Sequence, residues 1–226
     1  MAVTLDNKLV VGISSRALFD LEYENTIYEE QGLQAYLAYQ RDHEQDILKP
    51  GTAFPLIRAL HKLNDGGEQL VEIIIMSKNS ADTSLRIFNS IEHYGLDISR
   101  AALVGGNKIA PYLSAFRTGL FLSANEEDVQ EAIDAGVAAG LICSHNDLEI
   151  SPDEVMDQIR IAFDGDAVIF SDESDIYRQR GECELQVRLG FKRDNFVYRS
   201  VRYKLCVSFV QRLNRLIFLR SVCRRV

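Results

Sequence analysis

The segment that most constrains this chain is residues 71–76 (VEIIIM), apolar at every position but one. A run this short cannot span a bilayer, and it suits a strand covered on both faces. Residues 8–13 (KLVVGI), 101–104, 119–122 and 138–142 read as further short strands. Between them lie segments with helical spacing. Residues 24–45 are polar but carry Ile27, Tyr28, Leu33, Tyr36 and Leu37, and Thr52 is placed to cap a helix bearing Phe54, Ile57 and Leu60. Residues 82–94, 113–116 and 126–135 complete the series. Strand and helix in strict alternation predict an α/β fold, a parallel sheet sandwiched by helices in the Rossmann-like manner. Right-handed crossovers then bring the loops that follow the strands to one edge, where such folds bind ligands.

After a further predicted helix (152–158) and strand (159–163) comes Asp164-Gly165-Asp166, then an apolar run (167–170) and the acidic stretch 171–175. Two carboxylates at spacing two on extended backbone point to one side, and so close a pair needs a divalent cation, a proton or both. Mg2+ favours one or two carboxylates plus water and substrate phosphate, which fits Asp164 and Asp166 as metal ligands. Such a pair suits phosphoryl transfer through an aspartyl-phosphate; a solvated acidic turn is the other reading.

The wider string AFDGDAVIFSDES (162–174) resembles the first motif of haloacid-dehalogenase-like phosphatases, specifically the cytosolic 5′-nucleotidases. ISSRALFDLE (13–22), IYEEQG (27–32), PGTAFPLIRAL (50–60), NSIEHYGLDISRAALVGGN (89–107) and FLSANEEDVQEAIDAG (121–136) are similar to that family's amino-terminal half. The resemblance runs from about residue 8 to about residue 181. It implies a haloacid-dehalogenase-like fold and Mg2+-dependent hydrolysis of nucleoside 5′-monophosphates to nucleoside and phosphate. Asp164 would be the nucleophile and Asp166 the general acid/base, with a catalytically inactive nucleotide-binding fragment as the alternative. The expected organisation is an α/β lobe over 1–150, the start of a catalytic lobe over 151–181, and a basic tail over 182–226.

Residues 13–32 and 163–181 also share a turn, an apolar run ending in Phe, acidic residues and Ile-Tyr-x-x-x-Gly, a weak internal repeat with a period of about 149. Ser14-Ser15-Arg16 stands where the second copy has Asp164-Gly165-Asp166. Without carboxylates the first copy cannot form a phospho-aspartate. Arg16 is instead a candidate for holding substrate phosphate, against a capping turn with a surface arginine. Ser77 and Lys78, after the apolar run 71–76, are candidates for gripping phosphate, as the second motif of such phosphatases does; a helix N-cap is the alternative. Lys108, after Gly105-Gly106-Asn107, is a candidate anion contact at a helix start, against a plain surface loop. The four histidines show no ligand spacing.

The formal net charge of −8 argues against a nucleic-acid partner, but it is unevenly spread. Residues 182–226 hold 11 Lys and Arg against 3 Asp and Glu, with Cys183, Cys206 and Cys223. The resemblance ends where this composition begins, as a shifted reading frame or truncation would leave it. The alternative is a basic amphipathic segment for an anionic membrane, nucleic acid or an acidic partner. No signal sequence or membrane span is evident, and cysteines without a CxxC pair suit reduced thiols. The expectation is a cytoplasmic protein, compatible with a homo-oligomer, binding a nucleoside monophosphate and neither nucleic acid nor membrane.

Overall fold

The computed structural model describes residues 5, 7–81, 83–143, 150–152 and 159. The chain divides into two compact units, Met1–Ile159 and Arg160–Val226, and all described residues belong to the first. Asp164, Asp166, the strands expected around them and the basic tail lie outside the described residues, as does nearly all of the helix expected over 152–158.

Five strands form one parallel sheet: β1 (Leu9–Ile13), β2 (Val71–Ser77), β3 (Arg100–Leu103), β4 (Leu120–Ser123) and β5 (Ala139–Leu141). Their order is β3-β2-β1-β4-β5, so the chain steps outward on one side of β1 and then returns to the other. Register is set by apolar pairs along the central strands, Val11 against Ile73 and Ile13 against Ile75, with Gly12 against Phe121 on the other side.

Alternation along the strands divides the core between two faces. Val10, Ile74, Met76 and Phe121 pack in one cluster with Leu113 of α5 (Ala110–Ala115) and Ala132 of α6 (Glu126–Asp134). Leu9, Val11, Ile13, Ile73 and Ile75, all buried, occupy the alternate positions, and β2 is contacted by α1 (Ser15–Leu18) and α3 (Phe54–His61). The near-continuous apolar run of β2 thus reflects cover on both faces, and the expected α/β sandwich is present.

Two local expectations differ. The turn at Ser14-Ser15-Arg16 continues into α1, a single helical turn whose N-cap is Ser14, the side chain accepting from the Ala17 N–H at 3.3 Å. Thr52 does not cap α3. Ala53 occupies the N-cap with no side-chain bond, Pro follows in the first turn, and the Ala53 N–H donates to the Ala17 carbonyl at 3.0 Å. The Phe54 N–H, the donor a Thr52 hydroxyl was expected to satisfy, goes instead to the Gly51 carbonyl at 2.9 Å.

The long polar helix α2 (Glu22–Asp42) is broken at Gly32, with φ 82° and ψ −179°. That conformation is essentially confined to glycine, so the residue sets the change of direction between the arms. α4 (Leu85–His93) then leads from β2 to β3, burying Ile87 and Ile91.

Candidate functional site

A cleft of about 610 Å3 opens at the carboxyl ends of the strands and is lined from the turn after β1 and α1, from β2, β4 and α6, from both arms of α2 and from the loop after β3. It includes the topological switch point between β1 and β4, where doubly wound sheets leave a crevice for ligands. The two sides are tied there: the Ser14 N–H donates to the Leu122 carbonyl at 2.9 Å, and the Ser14 hydroxyl accepts from the Ala124 N–H at 3.3 Å.

The floor is made of strand-end hydroxyls. Ser15 and Ser77 place their Oγ atoms 3.1 Å apart, and Ser77 Oγ also accepts from the Asn79 N–H at 3.2 Å. Ser123 Oγ accepts from the Asn125 N–H at 3.1 Å. Asn125 in turn caps α6, its Oδ1 taking the Asp128 N–H at 2.9 Å. The turn after β2 is held by the loop after β3, whose Gly105 and Gly106 N–H groups donate to the carbonyls of Asn79 and Lys78 at 3.1 and 2.7 Å.

The charges lining the cleft are paired. Lys78 Nζ lies 2.5 Å from Oδ1 of buried Asp128. Burial would lower the Lys78 ammonium, but the hydrogen bond and charge of Asp128 outweigh it and raise its pKa. Arg16 forms a two-pronged contact with Glu22, Nε to Oε1 at 3.0 Å and Nη2 to Oε2 at 2.7 Å. That hydrogen bond raises the guanidinium pKa against the opposing effect of burial. Glu24, on the first arm of α2, is buried 2.5 Å from Arg86 of α4.

Above the floor the lining turns aromatic and aliphatic: Tyr28 from the first arm, and Leu33, Tyr36 and Leu37 from the second. The rings of Tyr28 and Tyr36 meet edge to face, centroids 6.0 Å apart. The Tyr36 hydroxyl donates to Asn79 Oδ1 at 3.1 Å, and burial raises its pKa. Asn79 Nδ2 is buried with no hydrogen-bond partner among the described residues.

Of the sequence candidates, Arg16, Ser77 and Lys78 are brought together in this cleft. Ser14 caps a helix as the plainer reading had it, yet Arg16 also lines the cleft. Ser77 ends β2 and caps no helix. Lys108 is not among the lining residues; it is 76% exposed, and its Nζ pairs with Glu131 at 3.2 Å. Asp164 and Asp166 lie outside the described residues. Sequence reasoning missed Glu24, Tyr28, Tyr36, Ser123 and Asp128 as lining groups, and only the Asn-x-x-Asp spacing at the start of α6 signalled one of them.

Among the described residues no group of three His, Cys, Asp or Glu is placed to hold a metal. No helix searched among them is long and apolar enough to cross a membrane. Sheet order and the crevice at the switch point define a Rossmann-like α/β lobe.

A family model described as 5′-nucleotidase matches residues 1–193, running past Gly181. The human protein named Cytosolic 5′-nucleotidase 1B is 40% identical over 177 residues, covering 75% of this chain and 28% of that protein. The chain belongs to the 5′-nucleotidase family. It spans less than a third of the length of that curated relative.

Proposed function

We propose that the chain serves Mg2+-dependent hydrolysis of nucleoside 5′-monophosphates to nucleoside and phosphate in the cytoplasm. The observation that carries this reading is family membership over residues 1–193, together with the Asp164-Gly165-Asp166 string inside that span.

In this reading the Asp164 carboxylate attacks phosphorus and the bond from phosphorus to the 5′-oxygen breaks. Asp166 gives its proton to the departing oxygen. Asp166 then takes a proton from water, whose oxygen attacks phosphorus and releases phosphate from Asp164. Asp164 and Asp166 would also hold Mg2+, which when bound offsets the negative charge of the transferring group. The described cleft does not suit that ion, because both of its lining carboxylates are already paired with Lys78 and Arg86. Its donors, Arg16, Ser77 and Lys78, are suited to the phosphate of a bound nucleotide; Lys108, paired with Glu131, has no part in it.

The test is phosphate release from AMP or IMP by the full chain with Mg2+. Asp164→Asn is expected to abolish release and Asp166→Asn to slow it severely. Equal hydrolysis with Asp164 replaced would rule out the aspartyl-phosphate. Nucleotide binding with no Mg2+-dependent turnover would instead favour an inactive nucleotide-binding fragment.

A further inference from the structure

We propose that the switch-point cleft is itself a nucleoside-phosphate site, one that holds its ligand without hydrolysing it. The proposal rests on the phosphate-holding reading of this cleft and is independent of hydrolysis at Asp164.

The hydrogen-bond inventory points to an oxygen-rich ligand. The hydroxyls of Ser14, Ser77 and Ser123 each accept from a main-chain N–H. Ser14 and Ser123 each retain a proton to donate, and the Ser15–Ser77 pair, which spends one proton on its mutual hydrogen bond, retains one more. Asn79 Nδ2 adds a buried amide donor that no described residue satisfies. A buried donor without a partner is costly, and a ligand acceptor at this position would remove that cost. Lys78 uses one of its donors on Asp128 and retains others. The floor therefore presents donors, with no unpaired carboxylate among the described lining residues to repel an anion.

The aromatic part of the lining, joined to the donors through the Tyr36–Asn79 hydrogen bond, selects a different chemistry. Tyr28 and Tyr36 offer ring surface beside Leu33 and Leu37, which suits the flat face of a nucleobase. Donors for an oxyanion in the same cleft as ring surface for a planar base describe a nucleoside phosphate. The volume of about 610 Å3 lies within the range of small-ligand sites.

The same lining withholds the groups hydrolysis needs. Where the internal repeat has Asp164-Gly165-Asp166, this copy has Ser14-Ser15-Arg16. Glu24 and Asp128, the carboxylates that line the cleft, are each 2.5 Å from a cation. Among the described residues no histidine lines it, so among them neither an acidic nucleophile nor a general base stands free beside Ser15.

The experiment is calorimetric titration of the full-length Asp164→Asn chain, in chelator without divalent metal, with AMP and separately with inorganic phosphate. Saturable binding of AMP at one equivalent per chain is expected. Asn79→Ala should weaken both ligands by about tenfold, and Tyr28→Ala should weaken AMP by about tenfold while leaving inorganic phosphate unchanged. Tyr28 is 51% exposed, so its truncation is expected to leave the fold intact, which circular dichroism checks. If Asn79→Ala fails to fold, Tyr28→Ala decides alone. Absence of saturable AMP binding, or AMP binding unmoved by Tyr28→Ala, overturns the proposal. So would AMP hydrolysis that survives loss of both Asp164 and Asp166 but disappears in Asn79→Ala. Failure of the wild-type chain to release phosphate with Mg2+ would instead count against hydrolysis alone.

Discussion

The hydroxyls of Ser15 and Ser77 lie 3.1 Å apart, joining the start of α1 to the end of β2. Ser77 also receives the Asn79 N–H, so its oxygen shapes the turn that presents Lys78. Ser77→Val should remove both contacts and leave the Asn79 N–H without its acceptor. The expected loss is about 1–3 kcal/mol, read by urea denaturation.

Glu24 and Arg86 form a buried pair whose side chains are 7% and 9% exposed. Arg86 also donates from Nε to the Asp46 carbonyl at 2.9 Å. Removing one partner strands the other charge in the interior, so Glu24→Ala should cost about 3–5 kcal/mol. The double variant Glu24→Leu/Arg86→Met should recover part of that loss. A double variant whose loss equals the sum of the separate Glu24→Leu and Arg86→Met losses would contradict the coupling.

Gly51 packs against the main chain at the end of α1. A Cβ there would lie 2.8 Å from the Phe19 carbonyl carbon and 2.9 Å from the Ala17 oxygen. Those atoms are backbone, further fixed by the Gly51 N–H to the Leu18 carbonyl at 2.8 Å. Gly51→Ala is therefore expected to destabilise the lobe by about 3 kcal/mol, measurable as a lower urea midpoint.

Burial pushes the His61 imidazole below its ordinary 6.5, with the charges of Asp97 and Glu72 pulling part of the way back. Its Nε2 is buried without a hydrogen-bond partner among the described residues. The unfolded chain binds the proton more tightly than the folded one. Stability is then full above the unfolded value and declines as pH falls from about 6.5 toward the lower folded value. Denaturation at about pH 7.5 and about pH 5.5 should show this decline, and His61→Leu should make it smaller.

The sheet was legible because short apolar runs alternate with helical segments along the chain, and 71–76, in a strand buried at six of its seven positions, is the clearest case. Strand order was not, since periodicity carries no information about which neighbour β4 chooses. α1 was missed because four residues show no helical period, and its cap, Ser14, equally suits a turn. The break in α2 stood in view as the glycine of IYEEQG, but its dihedrals depend on how the two arms pack. For the cleft, Arg16, Ser77 and Lys78 were legible as residues that follow or end strands. Glu24 was not, because its partner Arg86 lies 62 positions away and no local pattern joins them.

The break at Gly32 has a kinetic meaning as well. The arm before it is held by the buried Glu24–Arg86 pair, whereas the arm after it is held in part by the Tyr36–Asn79 hydrogen bond. Two arms with unlike tethers need not open together. Amide protons on the second arm should exchange with solvent sooner, making it the earlier of two separate openings along one nominal helix.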